Sequence, residues 1–222
     1  MPSSSECDNE QVPNLNDLVA PAHTALVLQE VQNGVVGSGS MLPELAQSAA
    51  AVDLIGNCAR LARAARAAGV AVFHCTAETR VDGQGANRNA RRFVALERSP
   101  VKIAPGTDAV RVPDEIGVDP GDVVLPRHHG LGPMTGTQLD PMLRNLGVRT
   151  IVGVGVSVNI GITNLAFDAV NWGYQIVLPR DAVAGVPPEY AAAVMEHTLS
   201  LIATLATTAA VLDVWSGTTS ET

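Results

Sequence analysis

The stretch from Thr150 to Asp168, TIVGVGVSVNIGITNLAFD, constrains the fold more than any other part of the chain. Ile151-Val152-Gly153-Val154 is a short β-branched run of the kind that forms a buried strand. Gly155-Val156-Ser157-Val158-Asn159 then supplies small residues and an Asn, which mark a tight turn. From Ile160 the apolar positions recur at helical spacing, at Ile162, Leu165, Ala166, Ala169 and Val170. A buried strand turning sharply into a helix aims several backbone N–H groups at one point, where the helix dipole favours negative charge. In an open α/β sheet that point lies beyond the carboxyl ends of the strands, where ligands bind.

The flanking sequence repeats the alternation of strand and helix. Strands are expected at Thr24–Gln29, Val70–Cys75, Asp122–Leu125, from about Arg149, at Tyr174–Leu178 and at Ala209–Trp215. One long helix is expected from about Pro43 to Ala68, stopped by Gly69. A second should run from near Gly136-Thr137 to Leu146, and a third from Pro187 to about Ala206. This alternation predicts an α/β fold of three layers (αβα) around a six-stranded parallel sheet, with right-handed crossovers placing helices on both faces. Residues 22–215 form the expected domain, between a flexible leader (1–21) and a short tail (216–222). Within the leader, Leu15, Leu18 and Val19 are the residues suited to dock.

Composition narrows the functions available. With 46% apolar and 16% charged residues the 222-residue chain is globular. A formal charge of −8 argues against nucleic acid as a partner. No apolar run is long enough to span a membrane. The three cysteines, Cys7, Cys58 and Cys75, have no metal-ligand or CxxC spacing, so a reduced, cytoplasmic protein is expected. The long connection 76–106 holds Arg80, Arg88, Arg91, Arg92, Arg98 and Lys102, six of the fourteen Lys and Arg residues. It reads either as a soluble surface loop or as a rim that attracts an anionic small molecule.

Polar residues stand at three strand ends: Glu30 after the first, Arg127, His128 and His129 after the third, and the 155–161 turn after the fourth. With Leu26-Val-Leu-Gln-Glu-Val-Gln-Asn33, Gly136-Thr-Gln-Leu-Asp140, Gly155-Val-Ser-Val-Asn159, Asp168-Ala169, Gly173-Tyr174 and Asp181-Ala182 in this order, the chain resembles the isochorismatase-like hydrolases, or cysteine hydrolase superfamily. The resemblance implies strand order 3-2-1-4-5-6 and a homo-oligomer, dimer or tetramer. It also implies a cis Val156–Ser157 peptide that turns the Ser157 N–H toward the pocket, beside the N–H of residue 161.

The departures from the family pattern bear directly on the chemistry. The family's usual triad is Asp, Lys and Cys. Here the Asp position is Glu30, the Lys position is Arg127 or His128 depending on the direction of counting, and the Cys position is Gly161. Covalent acyl transfer needs a nucleophile beside a base, and glycine supplies none. Cys75, at the end of the second strand, is either a displaced nucleophile or a small buried residue. Isochorismatases proper resemble the chain in having Gly at the Cys position, and their vinyl-ether hydrolysis needs no thiol. The expected catalytic group is therefore Glu30, Arg127 and Gly161, with Glu30 as general acid if burial raises its pKa. Ser157, His128, Gln32 and Arg88 are the expected contacts to a small anionic or carbonyl-bearing substrate. No metal or cofactor is expected. The alternative is an inactive pseudoenzyme, a scaffold or ligand-binding protein in which Glu30 only pairs with Arg127.

Overall fold

β1 (Thr24–Gln29) runs through the middle of the sheet, and all six of its residues are buried. A strand covered on both faces reads as a continuous apolar run, as Ala25-Leu-Val-Leu28 does. The computed structural model describes residues 14–217. The start of the expected leader, with Cys7, and the last residues of the tail lie outside the described residues. Further strands are β2 (Ala71–Ala77), β3 (Val123–Arg127), β4 (Thr150–Val156), β5 (Gln175–Pro179), β6 (Val183–Ala184) and β7 (Thr204–Ala206). Among the described residues they form a seven-stranded sheet of order β3-β2-β1-β4-β5-β7, with β6 pairing on β4. All the pairings are parallel.

Helices cover both faces. α1 (Leu15–Leu18), α2 (Asn33–Val36), α3 (Pro43–Ala51), α4 (Leu54–Ala67) and α5 (Arg91–Glu97) precede β3. α6 (Leu139–Asn145), α7 (Thr163–Asn171), α8 (Pro188–His197) and α9 (Thr208–Trp215) follow it. Alternate β1 side chains enter two apolar clusters. Leu26 and Leu28 pack with Leu54, Leu61 and Trp215, while Ala25 and Val27 pack with Leu139, Leu143 and Leu165. Leu18 and Val19 do dock, and the Trp215 indole N–H donates to the Val19 carbonyl over 2.9 Å.

Three expected elements differ in the structure. The helix predicted over 43–68 is interrupted at Val52-Asp53, where Asp53 takes a left-handed φ of 50°. Its carboxylate lies over Gly56, where a Cβ would come within 2.5 Å of it. The helix predicted over 187–206 stops at His197, the last strand is Thr204–Ala206, and the strand expected at Ala209–Trp215 is instead part of a helix over 208–215. Val211 and Trp215, four apart, are both buried, which is helical spacing in a run too short and apolar for periodicity to decide. Thr207 caps α9, its hydroxyl accepting from the Ala210 N–H. Asp181 accepts from both the N–H and the hydroxyl of Thr208.

Candidate active site

The register of β1 brings three strand ends level. Gln29 is paired with Cys75 on one side and Gly155 on the other. The next residue, Glu30, has a left-handed φ of 52°, uncommon for a side chain with a Cβ. Its N–H donates to the Cys75 carbonyl over 2.8 Å, and its carbonyl accepts from the Gln32 N–H over 3.1 Å. This bend leaves the ladder and brings the Glu30 carboxyl into a cavity of about 460 Å³, which Arg127 and Gly161 also line. The three residues expected to converge therefore do so.

Arg127, the last residue of β3, is buried and pairs with the Glu30 carboxylate. Its guanidinium also donates to the carbonyls of His129, over 3.0 Å, and Gly130. Only 18% of the Glu30 side chain reaches solvent. Burial pushes the Glu30 carboxyl above its ordinary range, against the opposing pull of Arg127 and Arg92. Arg127 has most of its donors engaged, which leaves little of it for a substrate carboxylate. Ser157 and His128 line the cavity as well, and His128 and His129 are exposed. No group of three His, Cys, Asp or Glu able to hold a metal ion occurs among the described residues.

On the other side of the cavity lies the basic connection after β2, part of which is α5. Arg80, Arg88, Arg92 and Lys102 line the cavity; Arg91 does not. Arg80 pairs with Asp82 at 2.7 Å, Arg88 with Glu97 at 2.8 Å, and Lys102 donates to the Glu97 carbonyl. Arg92 makes no side-chain hydrogen bond or ion pair among the described residues. The sequence reading missed the apolar lining: Phe93, Leu96 and Ile103 in this connection, and Met41 and Leu42 just before α3. Phe93 and Leu96, three apart in a polar stretch, were the trace of a short helix turned inward.

The central turn carries a cis Val156–Ser157 peptide. Val158–Ile162 then forms one turn of π-helix, and the Ile162 N–H donates to the Ser157 carbonyl over 3.0 Å. The Ser157 N–H donates to no atom among the described residues. Gln32 is a correction to the expected contacts. It does not line the cavity; its buried amide accepts from the Ala77 N–H and donates to the carbonyls of Ala77 and Ala109. It ties the end of β2 to the connection that follows. Cys75 does not line the cavity either, and burial pushes its thiol up to about 12 despite Arg127 nearby. Cys58 is likewise buried, its thiol pushed up by burial.

The Isochorismatase domain model matches residues 24–210. The chain belongs to the isochorismatase family. Among curated relatives, the ureidoacrylate amidohydrolase RutB of Enterobacter sp. (strain 638) is 28% identical over 184 residues, covering 78% of this chain and 80% of that protein. The protein of the same name from Pantoea ananatis is 30% identical, covering 77% and 73%. Among solved structures, an isochorismatase family protein from Burkholderia thailandensis superposes with a TM-score of 0.73 at 27% identity, covering 88% of this chain and 96% of that one. A cysteine hydrolase from Pseudomonas syringae pv. phaseolicola shares the fold, with a TM-score of 0.77 at 21% identity over 89% and 94% of the two chains. The protein is thus an isochorismatase-family hydrolase, a family acting on small substrates. No helix among the described residues is long and apolar enough to cross a membrane.

Proposed function

We propose that this family member hydrolyses a small carboxylate-bearing substrate by proton transfer through Glu30, without a thiol nucleophile. The observation that carries the reading is the cavity itself: Glu30, held above its ordinary pKa by burial, and Gly161 line it together, and no cysteine among the described residues does. Vinyl-ether hydrolysis of an isochorismate-like substrate fits this inventory. Glu30 gives its proton to the terminal vinyl carbon, and the resulting oxocarbenium ion takes up water. One water proton returns to Glu30, and the hemiketal collapses to pyruvate and the free alcohol. Arg92 is the cation available to the substrate carboxylate, with Arg88 at the rim and the Ser157 N–H, unpartnered among the described residues, as a further donor. The apolar wall takes the uncharged body of the substrate.

The test is an assay of wild type and Glu30→Gln with isochorismate, ureidoacrylate and nicotinamide. Pyruvate release from isochorismate is expected, falling at least ~100-fold in the variant. Amide hydrolysis that survives Glu30→Gln would sink the reading. A second reading rests on the Glu30–Arg127 pair itself. With two backbone carbonyls also bonded, it is a complete unit that a non-catalytic ligand-binding protein would keep. Anion binding without turnover of any of the three compounds would favour it.

Assembly with further copies of the chain belongs to the same proposal. Phe167 and Val170 on α7, and Trp172 just after it, are exposed large apolar residues close together in the chain. The free thiols of Cys58 and Cys75 support a reducing, cytoplasmic setting.

A further inference from the structure

The helix in the basic connection has two unlike faces. Arg92, Phe93 and Leu96 of α5 line the cavity, all three half-buried, while Arg91 and Arg98 lie outside it, exposed. Three- and four-residue spacing puts Leu96 on the same side of the helix as Phe93 and Arg92. One turn of chain therefore presents a guanidinium to the cavity with two apolar side chains beside it. Ile103, Met41 and Leu42 continue the apolar lining.

The charges around the cavity suit a single anion. Five Lys or Arg side chains and four carboxylates line it. Arg80 pairs with Asp82, Arg88 with Glu97 and Arg127 with Glu30. Arg127 also donates to two backbone carbonyls, so protonation of Glu30 does not free it. Lys102 is exposed and bonded to a carbonyl, and Glu78 in the same connection offsets its charge. Arg92 is the positive charge left over. A second carboxylate on a substrate would lie against the apolar lining without a partner, which desolvation makes costly. At about 460 Å³ the cavity also falls among sites, roughly 300–1,000 Å³, that enclose an organic body and not an anion alone.

We propose that the site takes a monoanion with an apolar body: the enol ether of pyruvate with a phenol or an apolar alcohol, its one carboxylate on Arg92 and its aryl or alkyl group on Phe93 and Leu96. The inference rests on the hydrolase reading above and narrows its substrate. The ether oxygen and the carboxylate share one carbon, so the apolar group lies close to the carboxylate, as Phe93 and Leu96 lie close to Arg92. Glu30 protonates the terminal vinyl carbon, and the double-bond electron pair forms the new C–H bond. Water bonds through oxygen to the oxocarbenium carbon and returns one proton to Glu30. The hemiketal hydroxyl passes its proton to the ether oxygen as that C–O bond breaks, releasing pyruvate and the phenol or alcohol. Isochorismate, with a second carboxylate and a ring hydroxyl, is the poorer fit.

The experiment has a binding arm and a turnover arm on the full chain. Calorimetry of the wild type uses three saturated ethers that cannot react: α-phenoxypropionate, α-methoxypropionate and α-(p-carboxyphenoxy)propionate. The first should bind at least about tenfold more tightly than either of the others, one lacking the apolar body and the other adding a second charge. Equal affinities, tighter binding of the dicarboxylate, or no binding of α-phenoxypropionate overturns the proposal. Phe93→Ala and Leu96→Ala should each weaken α-phenoxypropionate at least about fivefold and leave α-methoxypropionate within about twofold. Unchanged affinity for α-phenoxypropionate in both variants, or an equal loss for both ethers, overturns it too. In the turnover arm, α-phenoxyacrylate should release pyruvate with a kcat/KM at least about tenfold above that of isochorismate, and a preference for isochorismate overturns the proposal. If neither compound releases pyruvate while the order of binding holds, the hydrolase reading falls and the class of ligand stands.

Discussion

His74 and Asp122 share a 3.0 Å hydrogen bond where solvent reaches neither, their side chains being 1% and 2% exposed. Arg66 of α4 closes the group, donating to Asp122 and to the carbonyls of Ile116 and Gly117. Burial holds the His74 pKa below its ordinary 6.5 even with Asp122 beside it. Folded His74 is therefore neutral where the unfolded chain begins to bind a proton. The stability this contributes is complete above 6.5 and is lost as pH falls below that value. Thermal unfolding followed against pH should show a steeper acid loss in wild type than in His74→Gln. Parallel curves would remove His74 from the account.

Gly155 has a φ of 110°, and a Cβ there would run into the Gln29 carbonyl. Gly69 also has a positive φ, 74°, but has nothing within 4 Å of its Cβ position. Gly69→Ala should cost about 1 kcal/mol from backbone conformation alone. Gly155→Ala should cost about 3 kcal/mol or more, because β1 and β4 must also separate. Urea unfolding of the two variants measures the difference, and equal losses would contradict the close approach.

If protonated Glu30 is the acid, kcat/KM should hold at low pH and fall as pH rises through a pKa above the ordinary carboxyl value. Arg92 pulls that pKa down. Arg92→Gln should therefore move the alkaline limb to higher pH, while raising KM about tenfold through the lost charge on the substrate carboxylate. Arg91→Gln, a change outside the cavity, should do neither. A pH–rate profile of the three proteins checks both statements.

Light scattering should return a mass above the 23.0 kDa of one chain. Val170→Glu on the exposed face of α7 should shift it toward that single-chain value. A monomer at micromolar concentration in the wild type would contradict the proposed assembly.

Much of this was legible in the sequence, and unevenly so. The Ile151–Val154 run and the glycines after it announced β4 and its turn, because a buried strand tolerates little else. Glu30, Arg127 and Gly161 could be brought together because each stands at or beyond the carboxyl edge of a parallel strand. Gln32 was misplaced for a physical reason: a polar residue two positions after a site residue looks like a ligand contact until its amide is seen spent on three backbone groups. Ala209–Trp215 reads as a strand because a short, mostly apolar run satisfies either period; the Thr207 cap and the Asp181 carboxylate bonded to Thr208, the latter distant in sequence, decide for helix. The packing of Gln29 against residue 161 was hidden too, as nothing in a linear chain says that residue 161 must make room for its amide.

The cavity is assembled from two sources that differ in kind. Its floor comes from strand ends, Glu30, Arg127 and the Ser157–Gly161 turn, each locked by the sheet. Much of its opposite wall, from Ala77 to Ala104, comes from one uninterrupted length of chain whose helix buries no residue completely. On the function proposed above, reactivity and selectivity are written on separable pieces of the polypeptide. Exchanging that one length for another should redirect the enzyme to a different molecule while leaving the bond it breaks the same.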